Sequence, residues 1–324
     1  MHTLPALLDK INAYAAANPF PPAPRELYDP CDYILTLGGK RLRPALVLMA
    51  YELFQDNVDQ ALPAAWAVEL FHNFTLMHDD IMDAAPLRRG KPTVHTKWSA
   101  TAGILSGDAM LILAYRHLAR FDDSVIVADL LDTFNRVAIE VCEGQQYDLN
   151  FETRHDVTLP EYIRMIELKT AVLLGGALEM GAMCARAHEN QSAHLYEFGR
   201  LAGIAFQIQD DLLDAYGDPA KFGKQVGGDI LQNKKTFLVL KTLEVASAAD
   251  RQELEYWMKT GPDLPVKISA VRDIFDRNGI PDLVTAEKRR YQAEAFGHFD
   301  AVEAPEARKA PLRGMMEELL MREY

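Results

Sequence analysis

Cysteine is scarce in this 324-residue chain. The three present, Cys31, Cys142 and Cys184, show no CxxC spacing and no histidine-rich neighbourhood. That argues against a disulfide framework or a structural zinc site and for reduced, buried thiols in a cytoplasmic protein. Positive charge is short as well: 34 Lys and Arg stand against 47 Asp and Glu, a net charge of −13. Nucleic acid is therefore not the expected partner, because no excess of cations exists to neutralise a phosphate backbone. A phosphorylated small molecule needs only a local set of Lys and Arg plus metal ions, and it stays open. No apolar run reaches the roughly 18 residues of a membrane span, and the N-terminus lacks the charged-then-apolar pattern of a signal peptide. Strand-like alternation rich in Val, Ile and Thr is missing too.

What fills the chain is 3.6-residue periodicity, with 49% hydrophobic and 25% charged residues, ordinary globular values. The pattern predicts a helix over Leu4–Ala17, then a proline-rich arm through Pro24, then helices near Glu26–Leu37 and Leu42–Phe54. Longer helices follow at about Gln60–Ala84, Thr96–Arg120, Ser124–Phe151, Leu159–Ala187 and Gln191–Tyr216. Shorter ones cover Lys234–Ala246, Asp250–Thr260, Val266–Asn278, Pro281–Gly297 and Arg308–Arg322. No linker separates two domains. The expectation is an all-α, single-domain bundle spanning 1–324, with residues 1–24 as N-terminal helix and arm, and long helices around a central cavity.

Two acidic clusters carry the chemistry: Asp79-Asp80-Ile81-Met82-Asp83 and Asp210-Asp211-Leu212-Leu213-Asp214. Both read D-D-x-x-D near the end of a long apolar helix, so first and last Asp share one face a turn apart. A single such cluster is usually solvated surface. Here the preceding residues, Leu70 to His78 and Leu201 to Gln209, are too apolar for exposed helices. Charge at the mouth of a buried wall must be paired or bound to metal. Mg2+ suits it, because it takes oxygen ligands and bridges carboxylates to substrate phosphates. Two such faces looking at each other would hold metal and a phosphorylated compound between them.

In order along the chain stand Gly39-Lys40-Arg41-Leu42-Arg43-Pro44, the first Asp motif, Leu87-Arg88-Arg89-Gly90, Lys169-Thr170, Phe206-Gln207, the second Asp motif, and Gly223-Lys224 through Asn233-Lys234-Lys235. In this combination the chain resembles the trans-isoprenyl diphosphate synthases, the family of farnesyl and geranylgeranyl diphosphate synthases. The resemblance implies the isoprenoid-synthase helical fold, a homodimer and three Mg2+ per active site. It also implies head-to-tail condensation of isopentenyl diphosphate with an allylic diphosphate (dimethylallyl, geranyl or farnesyl).

Lys40 and Arg43 follow a Gly-Gly break at a helix start, where backbone N–H groups already favour anions. The resemblance makes them the isopentenyl diphosphate site, with His72 and Arg89. His72 is two turns before Asp79 on the same face, although a lone His there is more often ordinary core. By the same resemblance Arg88 grips the allylic diphosphate, Asp79 and Asp83 hold Mg2+ from one side, and Asp210 holds it from the other. Asp80, Asp211 and Asp214 complete the metal set directly or through water. Lys169, Lys224 and Lys234 add counter-charge, Lys224 from a loop suited to closing over substrate. Thr170, the Lys169 carbonyl and the Gln207 amide face the carbocation. Lys91, Lys221 and Lys235 are read as solvated surface.

Product length should be set one turn before Asp79, at Phe74 and Thr75. By the resemblance, an aromatic at the fifth position with a smaller residue at the fourth, and no insertion between the aspartates, is similar to geranylgeranyl-type more than to animal-type farnesyl synthases, which implies a geranylgeranyl product ahead of a farnesyl one. Phe74 as plain core packing remains the alternative. Two rival readings are a class I terpene synthase, disfavoured by the intact second motif, and a non-catalytic subunit of a heteromeric prenyl synthase, disfavoured by all six aspartates. The tail Leu320-Met321-Arg322-Glu323-Tyr324 lacks the strong basic character of some relatives.

Overall fold

In the computed structural model, which describes residues 1–217, 226–259, 261 and 265–321, the chain divides into two compact units. One comprises Met1–Arg136, Gly176–Tyr196 and Val302–Arg313; the other comprises Val137–Gly175, Glu197–Ala301 and Gly314–Tyr324. Helices make up most of the described residues in both, so the all-α expectation holds.

The first unit is organised around helix α4 (Leu62–Met82), preceded by α1 (Leu4–Ala17), α2 (Arg25–Thr36) and α3 (Leu42–Glu52). Ala64, Ala65, Trp66, Ala67, Val68, Leu70 and Phe71 are all buried, so α4 is apolar on every side through its first half. A helix of that kind is stable only inside other helices. Phe71 alone, 1% exposed, contributes about 1.5–3 kcal/mol on burial. Helix α6 (Ala100–Leu118) packs along α4, and Ser99 starts it by accepting the Ala102 N–H. That cap places the helix start four residues later than the periodicity predicts. The short α5 (Val94–Lys97) precedes it.

The expected absence of strands fails in one place. Leu87–Arg88 and Lys91–Pro92 form a two-residue antiparallel pair, β1 and β2, closed by Arg89 (φ 54°) and Gly90 (φ 75°). Two consecutive positive φ values give the hairpin turn whose twist suits paired strands. The hairpin is too short for alternation to show in sequence.

In the second unit, the long helices α7 (Ser124–Thr153) and α10 (Glu189–Tyr216) contribute their C-terminal parts. Ile204, Ile208 and Leu212 of α10 join a core with Phe237, Leu240, Val271, Phe275 and Ile280. The helix expected over Leu159–Ala187 is interrupted. It runs as α8 (Leu159–Ile166), then a π-helical turn over Glu167–Ala171, then α9 (Val172–Cys184). A Thr158–Glu161 capping box fixes its start. The helix expected from Lys234 begins at Phe237, because Thr236 is its cap. Lys234 and Lys235 therefore precede it in a loop. Among the described residues, no helix is long and apolar enough to cross a membrane.

Candidate functional site

In the first unit the acidic cluster closes α4. Asp79 is partly buried and Asp83 exposed, one turn apart. Asp80 behaves differently. It is 3% exposed, and its two oxygens accept from Arg88 Nε at 3.0 and 2.8 Å. A second Arg88 nitrogen stands 3.7 Å from Asp79. The single Nε–H is shared between the two carboxylate oxygens in a charge-assisted contact. In this arrangement Asp80 anchors Arg88.

A cationic group gathers around His72 of the same helix. Arg43, in the first turn of α3, donates to His72 Nε2 at 3.2 Å. His72 accepts, so its imidazole is neutral, and burial together with Arg43, Arg88 and Arg89 holds its pKa well below the usual histidine value. Burial likewise lowers Arg43 to about 10, partly countered by Glu69. The buried Arg43 Nε has no hydrogen-bond partner among the described residues, a donor still owed an acceptor. Arg89 projects from the hairpin turn, and Gly39 (φ 140°) lies so close that a Cβ there would fall 2.7 Å from its guanidinium. Lys40 is exposed beside it.

Sequence reasoning missed Glu69. It is 6% exposed and accepts from Asn73 Nδ2 at 3.1 Å. Burial raises its pKa, while Asn73, Arg41, Arg43 and Arg89 act the other way. One buried anion thus steadies three guanidinium groups. The available signal was a single acid, three residues before His72, inside an otherwise apolar run.

In the second unit, α10 ends with the other acidic cluster. Asp210 is partly buried. Asp211 Oδ2 accepts from the Tyr162 hydroxyl at 2.5 Å and from the Phe237 N–H at 2.9 Å. Burial pushes its carboxyl up to about 8, with Asp229 and Asp210 adding to the rise. Asp211 is therefore a tie between α8, α10 and the Phe237–Val245 helix. The Asp214 side chain accepts the Asp229 N–H at 3.0 Å, and its carbonyl accepts the Gly227 N–H at 2.6 Å. Those contacts tie the end of α10 to Gly227 and Asp229.

Lys169 emerges from the π turn and donates to Asp148 Oδ2 at 2.6 Å. Single π turns inside α-helices are frequent at functional sites. Thr170, in the same turn, and Gln207, one turn before Asp211, are both partly buried. Lys234 is exposed, with Nζ 3.4 Å from Asp229. Asp148 and Asp229 were not singled out from sequence, since neither belongs to a motif. Lys235, read as solvated surface, donates instead to the Phe151 carbonyl at 2.5 Å at the end of α7. Lys224 and Lys221 lie outside the described residues.

Among the described residues, no three His, Cys, Asp or Glu side chains gather in ligating geometry. The donors fit Mg2+ nonetheless. Asp79 and Asp83 offer oxygen alone, and Mg2+ is ordinarily held by one or two carboxylates, with waters and substrate phosphate completing the octahedron.

The profile of the family described as polyprenyl synthetase matches residues 24–275. The chain is 43% identical over 222 residues to a geranylgeranyl diphosphate synthase of Methanosarcina mazei, covering 68% of each protein. It is 37% identical over 287 residues to a short chain isoprenyl diphosphate synthase of Methanothermobacter thermautotrophicus, covering 89% of this chain and 88% of that one. A crystal structure of a geranylgeranyl pyrophosphate synthase superposes over 100% of both chains with a TM-score of 0.95 and 44% identity.

Proposed function

The chain belongs to the polyprenyl synthetase family, and from that premise we propose that it condenses isopentenyl diphosphate with an allylic diphosphate, forming a short-chain (E)-prenyl diphosphate with geranylgeranyl favoured. The observation that carries the reading is the cationic cluster of Arg43, Arg88 and Arg89 around neutral His72, in which the buried Arg43 Nε has no partner among the described residues and Arg88 reaches Asp79 at the end of α4. Enzymes of this family generally use Mg2+. We assign Asp79 and Asp83 in the first motif, and Asp210 in the second, as its ligands. Bound there, Mg2+ supplies Lewis-acid stabilisation of charge on the diphosphate.

The residues of the chain do the remainder. Arg88, oriented by Asp80, donates to the allylic diphosphate as its C–O bond breaks. Lys169 and Lys234 add counter-charge, and such prearranged electrostatics usually supply the largest part of catalysis. The C1 carbocation needs weak dipoles nearby and no nucleophile that would trap it. The Thr170 hydroxyl, the Gln207 amide and the Lys169 carbonyl suit that role, and the π turn interrupts the regular ladder where Lys169 and Thr170 sit. Arg43, Arg89 and Lys40 bind isopentenyl diphosphate, with neutral His72 beside them. The alkene of isopentenyl diphosphate attacks C1, a C–C bond forms, and the departing diphosphate takes the proton lost from C2.

Phe74 fits a floor for the growing chain. Its ring is one turn before His78, and the Thr75 hydroxyl turns back to the His72 carbonyl at 2.8 Å, leaving little bulk beside it. The chain acts as one domain in this reading, in keeping with a family match that runs unbroken from 24 to 275. It works as a homodimer in the cytoplasm. Exposed Ile104 (46%), Leu105 (55%) and Ile112 (67%) on α6 support a self-association face.

The test is incubation with isopentenyl diphosphate, Mg2+ and each of dimethylallyl, geranyl and farnesyl diphosphate, followed by product analysis. Geranylgeranyl diphosphate is the expected product, and Phe74→Ala lengthens it. Hydrocarbon release from farnesyl diphosphate alone overturns the reading.

Gly39→Ala offers a local check. The added methyl must displace the Arg89 guanidinium, and φ at 140° strains any side chain. KM for isopentenyl diphosphate should rise about ten-fold, equal to about 1.4 kcal/mol, with KM for the allylic substrate little changed. An unaltered KM removes Arg89 from that site.

A further inference from the structure

We propose that His78, seated on Gly107, is a positioning residue that holds the Phe74 ring still and thereby fixes product length. The inference rests on the reading of Phe74 as the floor. The two sides of that ring are supported differently.

On its N-terminal side Phe74 meets Phe71, ring centroids 5.6 Å apart. Phe71 is buried and continues edge-to-face into Phe134 at 5.2 Å, which continues into Tyr115 at 5.0 Å. That side is a deep aromatic stack anchored in the core. On its C-terminal side Phe74 meets the His78 imidazole, edge-to-face, with centroids 4.7 Å apart and planes at 67°. Among the described residues, no further aromatic ring contact of His78 is found. One imidazole braces that flank of Phe74.

The imidazole is itself fixed. Its Nε2 donates to the Ile104 carbonyl at 3.1 Å, and Asp108 lies 3.9 Å from the same nitrogen. Beneath it, α6 presents Gly107, where a built Cβ would fall 2.3 Å from Nε2 and 2.6 Å from Cδ2. Only glycine at 107 leaves the ring this seat. Gly107, His78, Phe74 and Phe71 thus form one contiguous column, in which the first two members set the angle of the third. An edge-to-face pair shifts the balance between ring orientations by a factor of about two to ten. A floor that swings aside that often admits a further isoprene unit in a matching share of turnovers.

The experiment is product analysis of five variants: Phe74→Ala, His78→Ala, His78→Gln, His78→Phe and the double Phe74→Ala/His78→Ala. His78→Ala and His78→Gln should raise the share of chains longer than the wild-type product about two- to ten-fold. His78→Phe keeps a ring on that flank and should restore wild-type length despite losing the Ile104 hydrogen bond. The double variant should match Phe74→Ala, because His78 acts only through that ring. A merely structural His78 would lower turnover without moving length, and that result overturns the proposal. Should His78→Ala fail to fold, His78→Gln decides alone: longer chains support the brace, and unchanged chains end it. If Phe74→Ala lengthens the product and neither His78 variant does, the brace is wrong and the floor stands. If Phe74→Ala itself leaves length unchanged, both fall together.

Discussion

Alanine at Asp79 or at Asp210 should lower kcat about 10²–10³-fold, the loss typical of removing one prearranged electrostatic contact to a reacting group. The helices should survive. Both positions are only partly buried, alanine is the best helix former, and far-ultraviolet circular dichroism should be unchanged. The Asp79 variant isolates the metal assignment because Arg88 stays in place: Asp80 still receives its Nε through both oxygens. Asp80→Asn should behave differently. It loosens Arg88 and raises KM for the allylic diphosphate more than it weakens the dependence of rate on Mg2+ concentration. Asp211→Asn should register first as lost thermal stability, since that carboxyl joins Tyr162 to the Phe237 backbone. Chelation of divalent cations should abolish turnover in the unaltered enzyme. Rates within ten-fold of the parent in both Asp79→Ala and Asp210→Ala would remove the aspartates from the metal site.

This contrast among six similar aspartates marks the boundary of what sequence carries. The helices bearing them were legible because α4 and α10 are apolar on several faces, a pattern that survives tertiary packing. The motifs were legible because Asp at i and i+4 shares a face whatever surrounds it. The division of labour was not. Asp80 turns to Arg88 because a hairpin of two residues per strand brings that guanidinium beside it, and Asp211 is claimed by a tyrosine 49 positions earlier in the chain. Such pairings depend on which helix lies next to which. Glu69 and Asp148 were invisible for the same reason: each acquires meaning from a cation brought to it by folding. Lys235 shows the converse error, a charge assigned to solvent that the fold spends on the Phe151 carbonyl at the end of α7.

The π turn at Glu167–Ala171 had no sequence signal, and it supports the second large effect: Gly144→Ala should cost about 10² in kcat/KM. A Cβ at 144 would lie 2.2 Å from the Lys169 backbone nitrogen and 2.7 Å from the Lys169 Cα and the Leu168 carbonyl carbon. Every one of these is main chain, so no rotamer can yield, and the turn itself or α7 must move. Asp148, which receives the Lys169 ammonium at 2.6 Å, is one turn further along the same face of α7. Displacement therefore disturbs the lysine at both ends, its backbone and its counter-ion. A shift of about 1 Å in a positioning element is enough for the predicted loss. Overpacking at a well-filled contact should also cost about 1–3 kcal/mol of stability, read as a lower melting temperature. Gly297→Ala is the matched control. It lies within the Ile280–Asp300 helix with nothing inside 4 Å of the added Cβ. The same chemical change there should leave turnover alone and add about 0.5–1 kcal/mol, because alanine loses less backbone entropy than glycine on entering a helix. Equal, near-parental activity in both variants would mean that the turn tolerates displacement, and that Lys169 and Thr170 need no exact placement for the chemistry.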